Sequence, residues 1–342
     1  MSPTRETTVR LQQMVRAYRQ SAALMAAVEL GLFTEVSKGA AKRDAVGKAL
    51  GISPLNAERL VTYCLGLGLL VQRDGVLMNA PDVERFLVQG KKEYAGSWML
   101  FTKPDWNDWG HLADYLRTAD EPLTLGAYAD WTVDHARKYH DATYAIGMGA
   151  GSRFAKLVDL SERKLIIDIG GGSGAYCINA AKAYPHIRAI VLDLPPVVEV
   201  AREFIARNGV ADRVEARACD FTKDQFPSGA DVAVMASNQS LYGAEFIRSV
   251  VHKTFDALAP GGEMHFIGHL LNADRTGPAE PAQWALGQAI TRGTGHAHAV
   301  SDVRGYFEAA GFVNVWDGDF LPNMLEWVRG TKPAKDVAGI PG

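Results

Sequence analysis

The 342-residue chain is 47% hydrophobic and 22% charged, a balance that excludes a disordered, collagen-like or coiled-coil protein and leaves length for about two domains. Lys plus Arg number 36 against 39 Asp plus Glu, a formal net charge of -3, so no global field draws the molecule to nucleic acid or to an anionic membrane. Cys64, Cys177 and Cys219 are odd in number and lack C-x-x-C spacing, which argues against a disulfide framework or a zinc knuckle and for reduced thiols in a cytoplasmic protein. The N-terminus, Met1-Ser2-Pro3-Thr4-Arg5-Glu6, has no apolar leader, and Glu29 interrupts the first apolar run, so neither export nor a membrane span is expected.

In chain order, Leu11, Met14, Val15, Tyr18, Ala22, Met25, Val28 and Leu32 recur at helical spacing and predict a long amphipathic helix over 9–32 that stops at Gly31. Next come a helix over 43–50, the turn Gly51-Ile52-Ser53-Pro54, the apolar run Leu60 to Leu70, and a hairpin around Asp74-Gly75. Helix, turn, helix and a two-stranded wing read as a winged helix. The segment 54–60 offers Asn56 and Arg59 rather than a basic reading face, so a packing or dimerisation module is expected in place of DNA binding.

From Lys92 to Val158 the chain is helical in period and rich in aromatic residues, among them Tyr94, Trp98, Trp106, Trp109, Tyr128, Trp131, Tyr139 and Tyr144, with Pro104 and Pro122 as breaks. Such density at a junction predicts a helical segment lining a pocket. After Leu160 short β runs alternate with helices: 165–169, 189–193, 214–218, 232–235 and 263–267. The alternation predicts a Rossmann-like, doubly wound, mostly parallel sheet. The expected division is therefore a winged-helix-like domain over 1–90, a helical junction over 91–158 and an α/β domain over 159–332.

Asp168-Ile169-Gly170-Gly171-Gly172-Ser173-Gly174 closes a β run and opens a helix, so its glycines let a ligand approach the backbone. Such a loop alone does not separate phosphate, dinucleotide and other sites. Asp193 stands at the end of the second strand, placed to accept from ribose hydroxyls, and Asp220-Phe221 follows the third with an acceptor for an amine beside a ring to stack on. Together these describe an adenosine pocket, and the carboxylate of Asp168 favours a cationic or zwitterionic ligand over a pyrophosphate.

With Ala259-Pro260-Gly261-Gly262 added, these motifs resemble those of class I S-adenosylmethionine-dependent methyltransferases, and more narrowly the dimeric small-molecule O-methyltransferase family. The resemblance spans nearly the whole chain. It implies an N-terminal winged-helix dimerisation domain, a homodimer, S-adenosylmethionine as cofactor, and cofactor contacts from Asp168, Gly170, Gly172, Asp193, Asp220, Phe221 and Ser237. The family's general base, a His before Asp or Glu and Trp after the fourth strand, is missing, because Ser240 stands at that place in Ser237-Asn238-Gln239-Ser240-Leu241-Tyr242. The family's later acidic residue is absent too, its loop reading Gly295-His296-Ala297-His298.

A phenol with a pKa near 10 needs deprotonation before it attacks, whereas a thioether already carries a free lone pair. Its methylation moves positive charge from one sulfur to another, which asks for positioning, desolvation and aromatic faces rather than a base. The texture of Tyr94-Ala95-Gly96-Ser97-Trp98-Met99, of 147–151 and of 171–177 also resembles the marine-bacterial branch that S-methylates 4-methylthio-2-hydroxybutyrate on the route to dimethylsulfoniopropionate. That resemblance implies a carboxylate partner among Arg153, His140 and His298 and pocket walls at Tyr139, Tyr144, Gln239 and Trp284. The alternatives are an O-methyltransferase of a phenolic or aromatic metabolite, with His265, His269 or His298 as a substitute base, and a non-catalytic winged-helix regulator. No metal site is expected, since the His296–His298 pair has no third ligand.

Overall fold

The computed structural model describes residues 6–118, 121–123, 128 and 130–334. They form two compact units divided between Trp106 and Asn107. The division falls inside the expected junction, so 91–106 belong with the first unit and the helix Val133–Leu157 with the second.

In the first unit the helices Tyr18–Leu30, Leu32–Ser37, Arg43–Leu50 and Pro54–Gly66 enclose a core of Ala27, Val28, Leu32, Phe33, Val46, Val61, Cys64, Leu70 and Leu77. Ser53 caps the last of these helices by accepting from the Asn56 N–H at 3.3 Å, with Pro54 at the first helical position. Strands β1 (Leu70–Arg73) and β2 (Val76–Asn79) form the wing across a turn in which Asp74 and Gly75 both take positive φ, 50° and 78°. The long first helix expected from periodicity is instead two, Val9–Arg16 and Tyr18–Leu30, separated at Ala17. The first buries nothing within this chain and leaves Val9, Leu11, Met14 and Val15 exposed.

The second unit is built on β3 (Leu165–Ile169), β4 (Arg188–Asp193), β5 (Val214–Ala218), β6 (Ala230–Ala236), β7 (Leu258–Gly268), β8 (Val313–Leu321) and β9 (Leu325–Thr331). Among the described residues these seven strands form one sheet in the order β5-β4-β3-β6-β7-β9-β8. The first five pair in parallel, with β3, β4 and β6 apolar and buried on both faces and the edge strand β5 alternating buried with exposed, and β9 joins β7 and β8 antiparallel. The β8–β9 pair has no counterpart in the sequence reading. Its alternation is diluted by Asp317, Gly318 and Asp319.

One layer of the core packs Val191, Phe154, Ile178, Val200, Phe204 and Ile205 under the helices Val133–Leu157, Ala175–Ala183 and Pro195–Arg207. The other packs Ile167, Ile169, Met235, Ile247, Val251, Phe266 and Phe307 under Ala244–Ala257 and Val300–Ala310. Strand order reverses between β3 and β6, so a crevice for a ligand is expected beyond the carboxyl ends of these two strands.

Candidate active site

Every strand end at this crevice carries one of the groups singled out in the sequence. After β3 the chain turns through Gly170 and Gly172 at φ 65° and 56°, a backbone that L side chains rarely adopt. A Cβ at Gly170 would lie 2.3 Å from the Asn238 amide nitrogen, and one at Gly172 would lie 2.6 Å from the His140 ring. The loop is thus pinned between β6's outlet and the helix Val133–Leu157.

Asp193, the last residue of β4, accepts from the Gly172 N–H through Oδ2 and from the Leu194 N–H through Oδ1, both at 2.8 Å. Burial pushes its carboxyl up to about 6, against the pull of those two donors. Asp168 lies beneath the loop, 1% exposed. Burial and the neighbouring Asp193 charge push it up to about 7, with the Cys177 thiol 3.8 Å from Oδ2. Past β5, Asp220 is already occupied: it takes the Thr222 N–H at 3.0 Å, the Thr222 hydroxyl at 2.6 Å and Lys223 at 3.1 Å. Burial opposes its ionisation, but these partners outweigh it and hold the carboxyl below its usual range. The Phe221 ring stands edge-on to Tyr242 at 5.0 Å, and Ser237 closes β6 at φ 59° with its N–H on the Ile267 carbonyl.

Over Asp193 lies a run of rings. Tyr128 meets Trp131 at 4.4 Å, Trp131 meets Tyr139 at 5.1 Å, and Tyr139 meets His140 at 5.0 Å. Burial raises the phenols of Tyr128 and Tyr139, which share a hydrogen bond, and the Asp193 charge adds to it. His140 is buried against Gly172 and pushed down to about 4 by burial, so it is neutral near pH 7. It supplies a ring face rather than the positive charge expected of it.

At the outlet of β6 the 3₁₀ turn Gln239–Leu241 carries Ser240, 8% exposed, where a base was expected to be missing. His298 holds this turn: Nε2 reaches the carbonyls of Gln239 and Tyr242 at 3.2 and 3.0 Å, and Nδ1 reaches the Tyr306 hydroxyl at 3.3 Å. Burial pushes His298 down to about 4. With both nitrogens spent on the protein, it is a brace for the turn and not the substrate contact expected from sequence. The Gln239 amide lies over Gly268 and donates to the His269 carbonyl at 3.3 Å. The His269 ring, in turn, lies 6.2 Å from that of Trp284.

Two further expectations are corrected. Tyr144 stacks on Phe204 at 4.5 Å and its hydroxyl accepts from Asn208 at 2.6 Å, so it faces the helix Pro195–Arg207 and lines no wall with Gln239. Arg153 donates through Nε to the Phe320 carbonyl on β8, which commits it to the sheet edge. His265, a candidate base, sits unexposed within β7, where it accepts from Trp327 Nε1 at 3.2 Å and faces Glu263 at 3.6 Å. His269, expected as a possible substitute base, lies beside the turn with its carbonyl on Gln239; Thr294, also beside it, carries no signal in the sequence because it lies in a loop without periodicity.

Fold and crevice define a class of protein, the Rossmann-like methyltransferases with an N-terminal helical domain. Residues 109–313 match the O-methyltransferase domain and residues 12–87 the O-methyltransferase dimerisation domain. The chain belongs to this O-methyltransferase family, whose cofactor is S-adenosylmethionine. It is 30% identical over 275 residues to 3-hydroxy-5-methyl-1-naphthoate 3-O-methyltransferase of Streptomyces sahachiroi, covering 78% of this chain and 79% of that one. It is 29% identical over 329 residues to the N,N-dimethyltransferase OxyT of Streptomyces rimosus, covering 93% and 94%. Human N-acetylserotonin methyltransferase in complex with SAM shares the fold at a TM-score of 0.80, with 22% identity and coverage of 98% and 100%. Among the described residues no helix is long and apolar enough to cross a membrane.

Proposed function

We propose that this chain transfers the methyl group of S-adenosylmethionine to a small molecule without a general base, and that the acceptor atom is the sulfur of a thioether acid such as 4-methylthio-2-hydroxybutyrate. The observation that supports this reading is the turn Gln239–Leu241: it carries Ser240, which the family resemblance puts in the base's place, and the neighbouring His298 is neutral with both nitrogens engaged. An acceptor with its own lone pair suits such a turn. The carboxylate partner expected at Arg153, His140 or His298 is not among those three, since each is held or neutral as described.

Asp193 and Asp168 would hold the ribose and cationic end of the cofactor, with Gly170, Gly172, Phe221 and Ser237 shaping its bed and Tyr139 and His140 covering it. S-adenosylmethionine supplies the electrophilic methyl group; the chain's own residues orient it, exclude water and give the sulfonium aromatic faces. We also assign 1–90 to dimerisation, since the unburied stripe of the helix Val9–Arg16 wants a second copy. The junction residues after Trp106 would serve the pocket, 159–332 would hold the cofactor, and the protein would work as a cytoplasmic homodimer.

O-methylation of an aromatic hydroxyl is the second reading. It is favoured by one observation: His269, whose carbonyl accepts from Gln239, has a buried Nδ1 with no hydrogen-bond partner among the described residues. The test is product analysis by mass spectrometry with the thioether acid and with a panel of phenols. Methylated sulfur, retained within about threefold in Ser240→Ala because no base is lost, is the expected result. Phenol ethers alone, abolished in His269→Ala, would establish the second reading instead.

The carboxyl pair sets a pH dependence. Both folded values, about 7 for Asp168 and about 6 for Asp193, lie above the usual 3.9 or so. The folded chain therefore holds more protons than the unfolded one between pH 4 and 7, approximately, and this pair's contribution to stability falls as pH rises through that window. A cationic cofactor restores ionisation. Its binding is expected to release protons at pH 6.5 and to tighten from pH 6 to pH 8, read by calorimetry in buffers of different ionisation heat. Binding heats independent of buffer would refute the pairing.

A further inference from the structure

Polar atoms that are both buried and unpartnered gather at one place in the second unit. Among the described residues, Asn238 Oδ1, Gln239 Oε1, His269 Nδ1, Trp284 Nε1 and Thr294 Oγ1 have no hydrogen-bond partner. Gln239, His269, Trp284 and Thr294 belong to one neighbourhood, while the Asn238 amide lies at the glycine loop, where its Nδ2 donates to the Ile169 carbonyl. Gln239 donates to the His269 carbonyl, the His269 ring stacks near Trp284, the helix Ala279–Thr291 packs on the Gln239–Leu241 turn, and the carbonyl of Thr294 would lie 3.4 Å from a Cβ at Gly243. Gln239 is 1% exposed. Buried polar groups are paired in folded proteins unless something else supplies the partner.

The chemistry of the unpaired set is specific. Gln239 spends its Nε2 on the protein, so its free atom is an acceptor; Asn238 spends its Nδ2 on the Ile169 carbonyl and likewise leaves an oxygen. The His269 ring is hydrogen-bonded to the Met324 backbone, with Nδ1 left over. Trp284 Nε1 can only donate. A group that both donates and accepts, which is to say a hydroxyl, answers both kinds of atom; a carboxylate would face the lone pairs of Asn238 and Gln239, an ether would leave those two oxygens unpaired, and a methylene would leave every atom unpaired.

We infer that Gln239 and Trp284, flanking His269, are specificity-determining residues that bind a hydroxyl of the acceptor molecule, Gln239 Oε1 accepting its proton and Trp284 Nε1 donating to its oxygen. The inference deepens the thioether-acid reading and names which part of that substrate the buried end grips: the 2-hydroxyl, not the sulfur and not the carboxylate. Gly268 takes part passively, since a Cβ there would lie 1.9 Å from the Gln239 amide.

The experiment compares 4-methylthio-2-hydroxybutyrate with its 2-oxo analogue and with 4-methylthiobutanoate. Turnover is read as kcat/KM, and binding by calorimetry on the full-length protein saturated with S-adenosylhomocysteine. The hydroxy acid is expected to exceed both analogues by about 10- to 100-fold, the value of one or two buried hydrogen bonds. That ratio is expected to fall towards one in Gln239→Leu and by about tenfold in Trp284→Phe. The second variant removes an N–H that has no partner in the fold and keeps a ring beside His269, so it tests the idea even where Gln239→Leu fails to fold. Equal loss on all three acids, or no discrimination in the unsubstituted protein, overturns the inference while leaving sulfur methylation standing. Discriminating binding without methylated sulfur overturns the thioether reading and keeps the hydroxyl site. No binding of any of the three acids overturns both.

Discussion

Asp193→Ala is expected to weaken S-adenosylmethionine binding by at least about 100-fold while leaving the unfolding temperature within a few degrees of the parent. The carboxylate does two jobs at once. It fixes the Gly172 N–H and the Leu194 N–H at 2.8 Å, which sets the glycine loop, and on the proposed reading it would accept the hydroxyls of a ribose. Two charge-assisted hydrogen bonds to a ligand contribute about 3–6 kcal/mol together, hence the fold-change. Stability behaves differently, because the same side chain is a buried acid pushed up to about 6. Its removal loses two hydrogen bonds and relieves a desolvated charge, and these partly cancel. Calorimetry and a thermal melt on the same sample separate the two effects, and unchanged affinity would dismiss the pocket.

His298→Ala is expected to do the opposite, acting on the fold before the chemistry. The imidazole fills a nearly unexposed space and answers three polar groups, the carbonyls of Gln239 and Tyr242 and the Tyr306 hydroxyl. Deleting it leaves those groups unpaired beside a cavity, a loss of about 3–5 kcal/mol and of roughly 10 °C in unfolding temperature. Its folded value of about 4 lies below the usual 6.5 or so, so the unfolded chain binds the extra proton between these values. Stability from His298 is therefore full above about pH 6.5 and lost as the pH falls towards 4. The variant should lose that acid-side slope along with its stability. A substitute base would behave otherwise, with an unchanged melt and a collapsed kcat.

Much of this was legible in the chain itself. The glycine loop and Asp193 announce themselves because each ends a β run that is apolar on both faces, and the Asp220-Phe221 pair because it follows the short run 214–218, whose polar residues alternate with apolar ones. The place of Ser240 in the turn that follows β6 was legible as well, being a matter of chain order. Side-chain destinations on the long helix were not. His140 and Tyr144 are four residues apart on one stripe of Val133–Leu157, yet the first meets Gly172 and the second Phe204. A rise of about 6 Å along the axis, set by helix geometry, decides between loop and neighbouring helix, and periodicity carries no information about it. Arg153 escaped for a related reason: its partner, the Phe320 carbonyl, lies on the antiparallel strand β8 that the sequence reading did not contain.

That same β8–β9 pair has a consequence for how the protein can diversify. Its turn brings the Met324 backbone to the His269 ring, whereas the loop after β3 and the ends of β4 and β5 form the opposite side of the crevice. On the proposed reading, the ring that flanks the acceptor's hydroxyl would thus be buttressed by a hairpin at the sheet's margin, remote in sequence from the glycine loop and Asp193. Lengthening or recomposing three exposed turn positions would remodel one half of the chamber and spare the other, so that new acceptors become reachable without re-evolving the means of activating them.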